Sequence, residues 1–268
     1  MNMFFTVFAA ALMMAPVAEG AVPVVSPVTE VVVSPVLSPV AEAVGAKLSV
    51  PRVDLGATPK IGRVDAFFES SGLPLHEIGC VNWPERAPDK PEVSFRIAHS
   101  GDEIYIKYYV REEASRATFD ADDGRPWQDS CVEFFVTPGE EGDPVYYNLE
   151  MACNGYGILH GGPLEPDGRA GASRGRVPDG ISKVRRLPSM SREAFGIREG
   201  GQEWTMTLAI PVEVFSLSPV PPLSGRTLRA NFYKCGDNLP RPHWVSWSPI
   251  TGARTFHSPA FFGEVYFE

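Results

Sequence analysis

Cysteine is scarce in this chain: four residues in 268, at Cys80, Cys131, Cys153 and Cys235, with no CxxC pair among them. That spacing excludes a zinc ribbon or a disulfide-stapled miniature fold. Buried free thiols are the expected state, although an even count leaves a disulfide open. Histidine is as sparse. His243 and His257 stand fourteen positions apart with no HExxH helix, which removes the usual zinc hydrolase pattern. No G-x-S-x-G elbow is present, so a serine hydrolase of that type is excluded as well. Basic charge is also short. A net charge of −9 and a pI near 5.2 argue against a nucleic-acid partner and give no support for an acidic membrane surface.

Long apolar runs are confined to FFTVFAAALMMAPVA, within Met1–Ala18. The run suits a signal-peptide core and is too short to span a bilayer comfortably, so no membrane span is expected in the mature chain. No Lys or Arg precedes it, the first being Lys47. Secretion or a periplasmic location follows if the leader is a signal peptide, and the cytoplasm if a misassigned start codon accounts for the segment. Val22–Gly45 then repeats the word VSPV, and its prolines favour an extended, disordered tether. Residues 1–46 therefore read as leader and tether, and 47–268 as the folded domain, expected to be a monomer.

What the chain does hold is glycine and proline, 25 and 26 residues, with few helical signals. Short alternating segments separated by turns point to an all-β domain, a β-sandwich large enough to fold without staples. Val93–His99 and Ile104–Glu112 alternate on either side of a Ser100-Gly-Asp102 turn. Val145–Cys153, Ile181–Leu187, Trp204–Ile210, Leu228–Cys235 and Glu264–Phe267 add strands. One helical turn fits Val212–Phe215, and Gly161–Gly180 reads as a long surface loop.

Trp127–Val136, WQDSCVEFFV, carries the chemistry. Ser130, Val132, Phe134 and Val136 form a core face, and Asp129, Cys131, Glu133 and Phe135 the other. An indole beside fixed carboxylates suits a sugar, whose C–H face stacks on the ring while its hydroxyls donate to the carboxylates. Asn148 and Glu150 share that face if the next strand pairs as a hairpin. A second cluster, NFYKCGDNLPRPHWVSWSPI (Asn231–Ile250), gathers Asn231, Lys234, Asp237, His243, Trp244 and Trp247. The loop word DADDG, Asp120–Gly124, puts its glycine one place early for an EF-hand, so calcium is a minor possibility and no cofactor is expected.

Together with CVNWPE (Cys80–Glu85), YYNLE (Tyr146–Glu150), WTMTLAIP (Trp204–Pro211) and FHSPAFFGEVYFE (Phe256–Glu268), these motifs resemble the carbohydrate-binding family 9-like proteins. The resemblance covers roughly Lys47 to the C-terminus. It implies a β-sandwich akin to xylanase-associated family 9 modules and to DOMON-type sandwiches. It further implies an oligo- or polysaccharide ligand, held by its chain end, in the service of polysaccharide breakdown. Two tryptophans would clamp the terminal sugar, Trp127 and, by the SWSPI motif, Trp247 in preference to Trp244. Glu133 would hold hydroxyls as a charged acceptor. Asp129, Asn148, Glu150, Asn231, Lys234, Asp237 and His243 complete the candidate set. Ala152 departs from the family pattern by removing a polar group from this row.

Two other classes compete. A glycosidase needs two carboxyl groups about 5–5.5 Å or 6.5–9.5 Å apart. Asp129 and Glu133, four positions along one strand, are separated by roughly 13 Å and cannot supply them. Glu133 and Glu150 could face each other across strands, so hydrolysis stays open. A protein-interaction patch built on the tryptophans is the third class, disfavoured by the polar groups mixed among them.

Overall fold

The computed structural model describes residues 45–165 and 170–268. The leader and nearly all of the tether read from the sequence lie outside the described residues. Contacts divide the chain into Met1–Ala41 and Glu42–Glu268, and the described structure belongs to the second unit.

The chain begins with β1 (Lys47–Val50), α1 (Ile61–Ser70), β2 (His76–Glu77), β3 (Cys80–Val81), β4 (Glu92–His99) and β5 (Glu103–Ala117). It continues through β6 (Cys131–Thr137), β7 (Val145–Ala152), β8 (Gly157–Pro163), β9 (Gly175–Arg176), α2 (Gly180–Lys183) and β10 (Arg185–Pro188). The last strands are β11 (Phe195–Pro211), β12 (Arg226–Cys235), β13 (Trp244–Ser246) and β14 (Gly263–Phe267). Two sheets form a sandwich. The larger runs β1-β14-β12-β6-β7-β8-β9, with β13 and β3 attached beside β12; the smaller runs β10-β11-β5-β4-β2. β1 pairs with β14 in parallel, and every other pairing between these strands is antiparallel.

Period-two alternation sorts each strand between the interior and an outer face. Val132, Phe134, Leu149, Met151, Phe232 and Val265 of the larger sheet meet Phe95, Ile97, Ile106, Tyr108, Met206 and Leu208 of the smaller. The Phe95 and Phe232 rings stack at 3.9 Å, and Tyr108 Oη donates to Glu133 O at 3.0 Å across the two layers. Aromatic burial of this kind dominates the stability of a sandwich core.

The outer face of the smaller sheet is not left to water. Helix α1 covers it, packing Val64 and Phe68 on Ala98, Tyr105 and Ala209, while buried Lys107 pairs with Asp65 and Glu69 of the helix. The sequence reading missed this helix. Its buried stripe is a single i, i+4 pair, and Lys60 at its start makes no side-chain cap. Two further readings change: Ile181–Leu187 divides into α2 and β10, and the Gly161–Gly180 loop holds the end of β8 and all of β9. β8 was masked by its glycines. A side chain at Gly161 would meet Tyr147 and Leu217 within 2.9 Å, so a close strand approach, not a turn, requires that glycine. All four cysteines are free, with Cys131, Cys153 and Cys235 buried. No described helix is long and apolar enough to cross a membrane.

The β1–β14 pairing gives the first test. Ala46 N donates to Ser248 Oγ, and Ala46 O accepts from Glu264 N, so the described contacts extend to the edge of β1. A chain starting at Gly45 is expected to melt within about 5 °C of the full chain, a margin of roughly 1–2 kcal/mol for this size. Starting at Pro51, without β1, should lower the midpoint further. Differential scanning calorimetry on the two truncations decides it, and equal melting of both would remove β1 from the fold's stability.

Candidate functional site

The outer face of the larger sheet is roofed by loops that enclose a cavity of about 460 Å³. Its floor comes from four strands: Glu133 and Phe135 of β6, Asn148 and Glu150 of β7, Ile158 of β8, and Cys235 at the end of β12. Trp83, Trp127 and Trp244 line its walls with Asp237, His160, His257 and three arginines, Arg86, Arg174 and Arg254. Two roomier grooves, of about 730 and 1160 Å³, lie elsewhere, over polar and charged surface. The smaller cavity combines aromatic walls with convergent polar groups, the usual composition of a ligand site.

Each wall has a local cause. Pro126 opens a short 3-10 turn that carries Trp127, and the fully buried Asp129 closes it. Asp129 accepts from Thr118 N at 2.6 Å and pairs with Arg116 at 3.3 Å, so its carboxylate is a fastening, not a cavity group. Trp127 O then accepts from Asp237 N, and Gln128 O from Asn238 N, both at 3.1 Å. Those bonds bring the turn after β12 beside the Trp127 turn. Trp244 follows from register: β13 sets it directly opposite Cys235, whose side chain faces the cavity. Its Nε1 donates to Asp237 Oδ1 at 2.7 Å, fixing the ring.

The floor holds two glutamates paired directly across β6 and β7. Glu133 Oε1 accepts from Cys235 Sγ at 2.9 Å, and Glu150 Oε1 from Asn148 Nδ2 at 2.8 Å. The second oxygen of each is buried with no partner. Burial, reinforced by the neighbouring acids, raises Glu133 well above the usual carboxylate range and Glu150 to about 7. Asp237 is raised by burial too, while burial lowers His160 and brings His257 down to about 4, leaving both imidazoles neutral near pH 7. Cys131, Glu133 and Cys235 bring their ligand atoms within 4.8 Å of one another. A soft cation could use them only by displacing two thiol protons that burial holds high, Cys131 at about 12. As described, the three form a hydrogen-bonded floor.

A raised carboxyl pKa has a signed consequence. A glutamate near 4.5 when unfolded and near 7 when folded stabilises the fold in its protonated form, and that contribution is lost as pH rises through 7. Melting temperature should therefore decline between about pH 5 and 8, and Glu150→Gln should flatten the decline. About 3 kcal/mol is the ceiling for a shift of this size. Thermal melts across that range check it; an unchanged slope in Glu150→Gln would place the titration elsewhere.

Of the ten residues nominated from sequence, Trp127, Glu133, Asn148, Glu150 and Asp237 line the cavity. The other five do not. Trp247 lies in the interior between the sheets, edge-on to Phe232 at 5.6 Å, so the one cavity-lining indole of this segment is Trp244. Lys234 alternates inward with Phe232 and is fully buried, bonded to His243 Nε2 at 2.7 Å and Glu112 at 2.8 Å. Asn231 exchanges two bonds with the Ser248 backbone and pins the loop after β13. Asp129 fastens its turn. Two carboxylates of the DADDG loop are also committed, Asp122 to Arg186 and Asp123 to Arg176.

Arg174 is the main residue that sequence reasoning missed. It donates to Tyr146 O at 2.7 Å, Gly162 O at 2.9 Å and Asn148 Oδ1, and lies 3.3 Å from the Tyr146 ring centroid. Nothing in its Gly/Arg-rich loop marks it. Trp83, in the NWP turn, donates through Nε1 to Ala253 O at 2.8 Å and so holds the loop that bears Arg254.

The profile of Carbohydrate-binding family 9 matches residues 63–267. The chain belongs to this family. The family 9 chain is 42% identical to a candidate carbohydrate-binding protein from Bacteroides uniformis, whose structure it matches with a TM-score of 0.77 over 84% of this chain and 100% of that one. Two structures of a family 9 module from Caldicellulosiruptor kristjanssonii, with glucose and with cellotriose, match at 10% and 12% identity with TM-scores of 0.47 and 0.48. Each covers 83% of this chain, and 96% and 94% of those chains respectively. No curated protein sequence matches it.

Proposed function

We propose that this family 9 domain binds the end of a saccharide chain in the 460 Å³ cavity, in support of polysaccharide breakdown. The observation that carries the reading is the pair of buried, unpartnered oxygens on Glu133 and Glu150, opening on the same cavity as Trp127 and Trp244. Unsatisfied buried polar atoms are costly, and a polyol supplies hydroxyls that can meet them. The two indoles give apolar faces for the sugar ring. Secretion or export follows if the N-terminal leader acts as a signal peptide.

Raised pKa values change the role read for Glu133. Burial and the neighbouring acids favour its protonated form, which can donate as well as accept, so Glu133→Gln should bind within a few-fold of wild type. Trp127→Ala and Trp244→Ala should each lose about 2 kcal/mol of binding, the lower range for aromatic hot spots, with little change in melting. Calorimetric titration against neutral oligosaccharides, intact and borohydride-reduced, tests all three variants. Unchanged affinity in both tryptophan variants would overturn the clamp, and retained binding after reduction would move recognition away from a reducing end.

A second reading, glycoside hydrolysis, is favoured by one observation, the direct pairing of Glu133 and Glu150 across strands. Release of reducing ends from a bound oligosaccharide, abolished in Glu150→Gln, would establish it. Binding without release would leave a non-catalytic module.

A further inference from the structure

Three guanidinium groups line the cavity, on Arg86, Arg174 and Arg254, and among the described residues none of them is ion-paired. Arg174 is the telling one. It is half-buried, and three of its five N–H donors are used on Tyr146 O, Gly162 O and Asn148 Oδ1, which leaves two. Every one of those partners is neutral. Desolvation lowers its pKa and outweighs the opposing pull of Tyr146 and Glu150. Arg86 and Arg254 are both exposed; Arg86 lies 5.0 Å from the Trp244 ring centroid, and Arg254 is on the loop held by Trp83.

The carboxyl groups of the cavity offset these charges only through space, Glu150 acting on Arg174 and Asp237 on Arg86, and each is hydrogen-bonded elsewhere. Asp237 is turned to Trp244 Nε1, Glu133 is met by the Cys235 thiol and Glu150 by the Asn148 amide. No arginine bonds any of the three. Both histidines are neutral near pH 7, adding no charge of either sign. Three guanidinium groups face three carboxyls whose charged form burial disfavours, so the walls carry a surplus of positive charge although the whole chain is −9.

From the unpaired arginines around this cavity we infer that its preferred ligand is an acidic saccharide, one whose terminal sugar carries a carboxylate. The inference rests on the saccharide-binding reading above and narrows its ligand class. A planar carboxylate matches the guanidinium fork, and hydrogen bonds between two charged groups are about twice as strong as neutral ones. In a half-enclosed cavity the attraction is screened less than at an open surface. The Tyr146 stack and the two backbone carbonyls hold the Arg174 plane ready, so little side-chain entropy is lost on binding.

The experiment uses matched ligands and the full chain. Oligosaccharides ending in a uronic acid are titrated calorimetrically beside the same compounds with the carboxyl reduced to the alcohol, at about 20 and 200 mM NaCl. The uronate form is expected to bind at least tenfold more tightly at low salt, with the advantage shrinking at high salt. Arg174→Gln should erase most of that preference and Arg174→Lys should restore only part, because lysine keeps the charge without the fork. Arg174 also braces its loop, so each variant is melted first. If Arg174→Gln unfolds, Arg86→Gln and Arg254→Gln carry the test, each expected to reduce the preference. Arg111→Gln, on the other sheet, makes the same change in net charge and should not.

Equal or tighter binding of the reduced compound would overturn the inference and leave saccharide binding standing. Tighter binding of a sulfated neutral sugar than of the uronate would overturn the carboxylate assignment. No binding of either compound, or of the neutral panel, would fail the reading of the site itself.

Discussion

Trp247→Ala is expected to lower unfolding free energy by about 3–5 kcal/mol, while Trp244→Ala, three residues earlier, leaves it nearly unchanged. Trp247 is 9% exposed and packs edge-on against Phe95 at 6.3 Å and Phe232 at 5.6 Å, in the layer that holds the two sheets together. Its ring also fills the space beside Gly263, where even a methyl group would meet it. Truncation would open a large void that packed strands cannot close. Trp244 is half-exposed and borders a cavity already present, so its loss creates little new void. For a domain of this size the first change should lower the melting midpoint by on the order of 10 °C. Denaturant unfolding of the two variants in parallel provides the measurement. A stable Trp247→Ala protein with lost sugar affinity would return that residue to the site.

Removing Lys234 should be as severe. Its ammonium is fully buried, 2.8 Å from Glu112 Oε2, 2.7 Å from His243 Nε2 and 2.8 Å from Cys235 O. Glu112 lies on β5, so the ion pair ties β12 to the opposite sheet, and Glu112 Oε1 is held in place by Trp204 Nε1 at 2.7 Å. Burial and the adjacent Lys234 charge hold His243 down at about 2, so it stays neutral and cannot replace the cation. Lys234→Ala leaves the Glu112 charge buried without a partner, a change that typically costs about 3–5 kcal/mol. Lys234→Met with Glu112→Gln removes both charges and should recover much of the loss. A double-mutant cycle measures the coupling, and additivity within about 0.5 kcal/mol would deny it.

Much of this architecture is written locally. Strict alternation in Val93–His99, Ile104–Glu112, Cys131–Val136 and Val145–Ala152 sets which side chains enter the sandwich, because period two leaves no other choice. The same alternation pairs Glu133 with Glu150 and brings Asn148 beside them. It also places Lys234 with Phe232 on the inward face, against the polar character that had suggested a ligand contact. The second indole resisted assignment for a different reason. β13 is three residues long, and Trp247 lies beyond it, where alternation no longer predicts direction. Arg174 and Arg254 come from loops with no period at all, and only the complete fold brings them to the cavity. Helix α1 hid because it is ten residues long, has no side-chain cap, and fully buries only Val64 and Phe68, with Ile61 and Phe67 packed partly exposed beside them.

The parallel seam between β1 and β14 also shapes how the nascent chain must fold. β14 lies between β1 and β12, so β1 cannot dock until a segment made about 200 residues later has left the ribosome. At roughly 5–20 residues per second that is a wait of about 10–40 s, during which β1 is an unpaired strand beside an incomplete sheet. The hairpins of β4–β5 and β6–β7 have no such delay, since their partners are adjacent in sequence. Synthesis should therefore produce a half-built sandwich first and seal it last, making β14 the latch whose early loss, by nonsense mutation or slow translation, exposes the β12 edge to other chains.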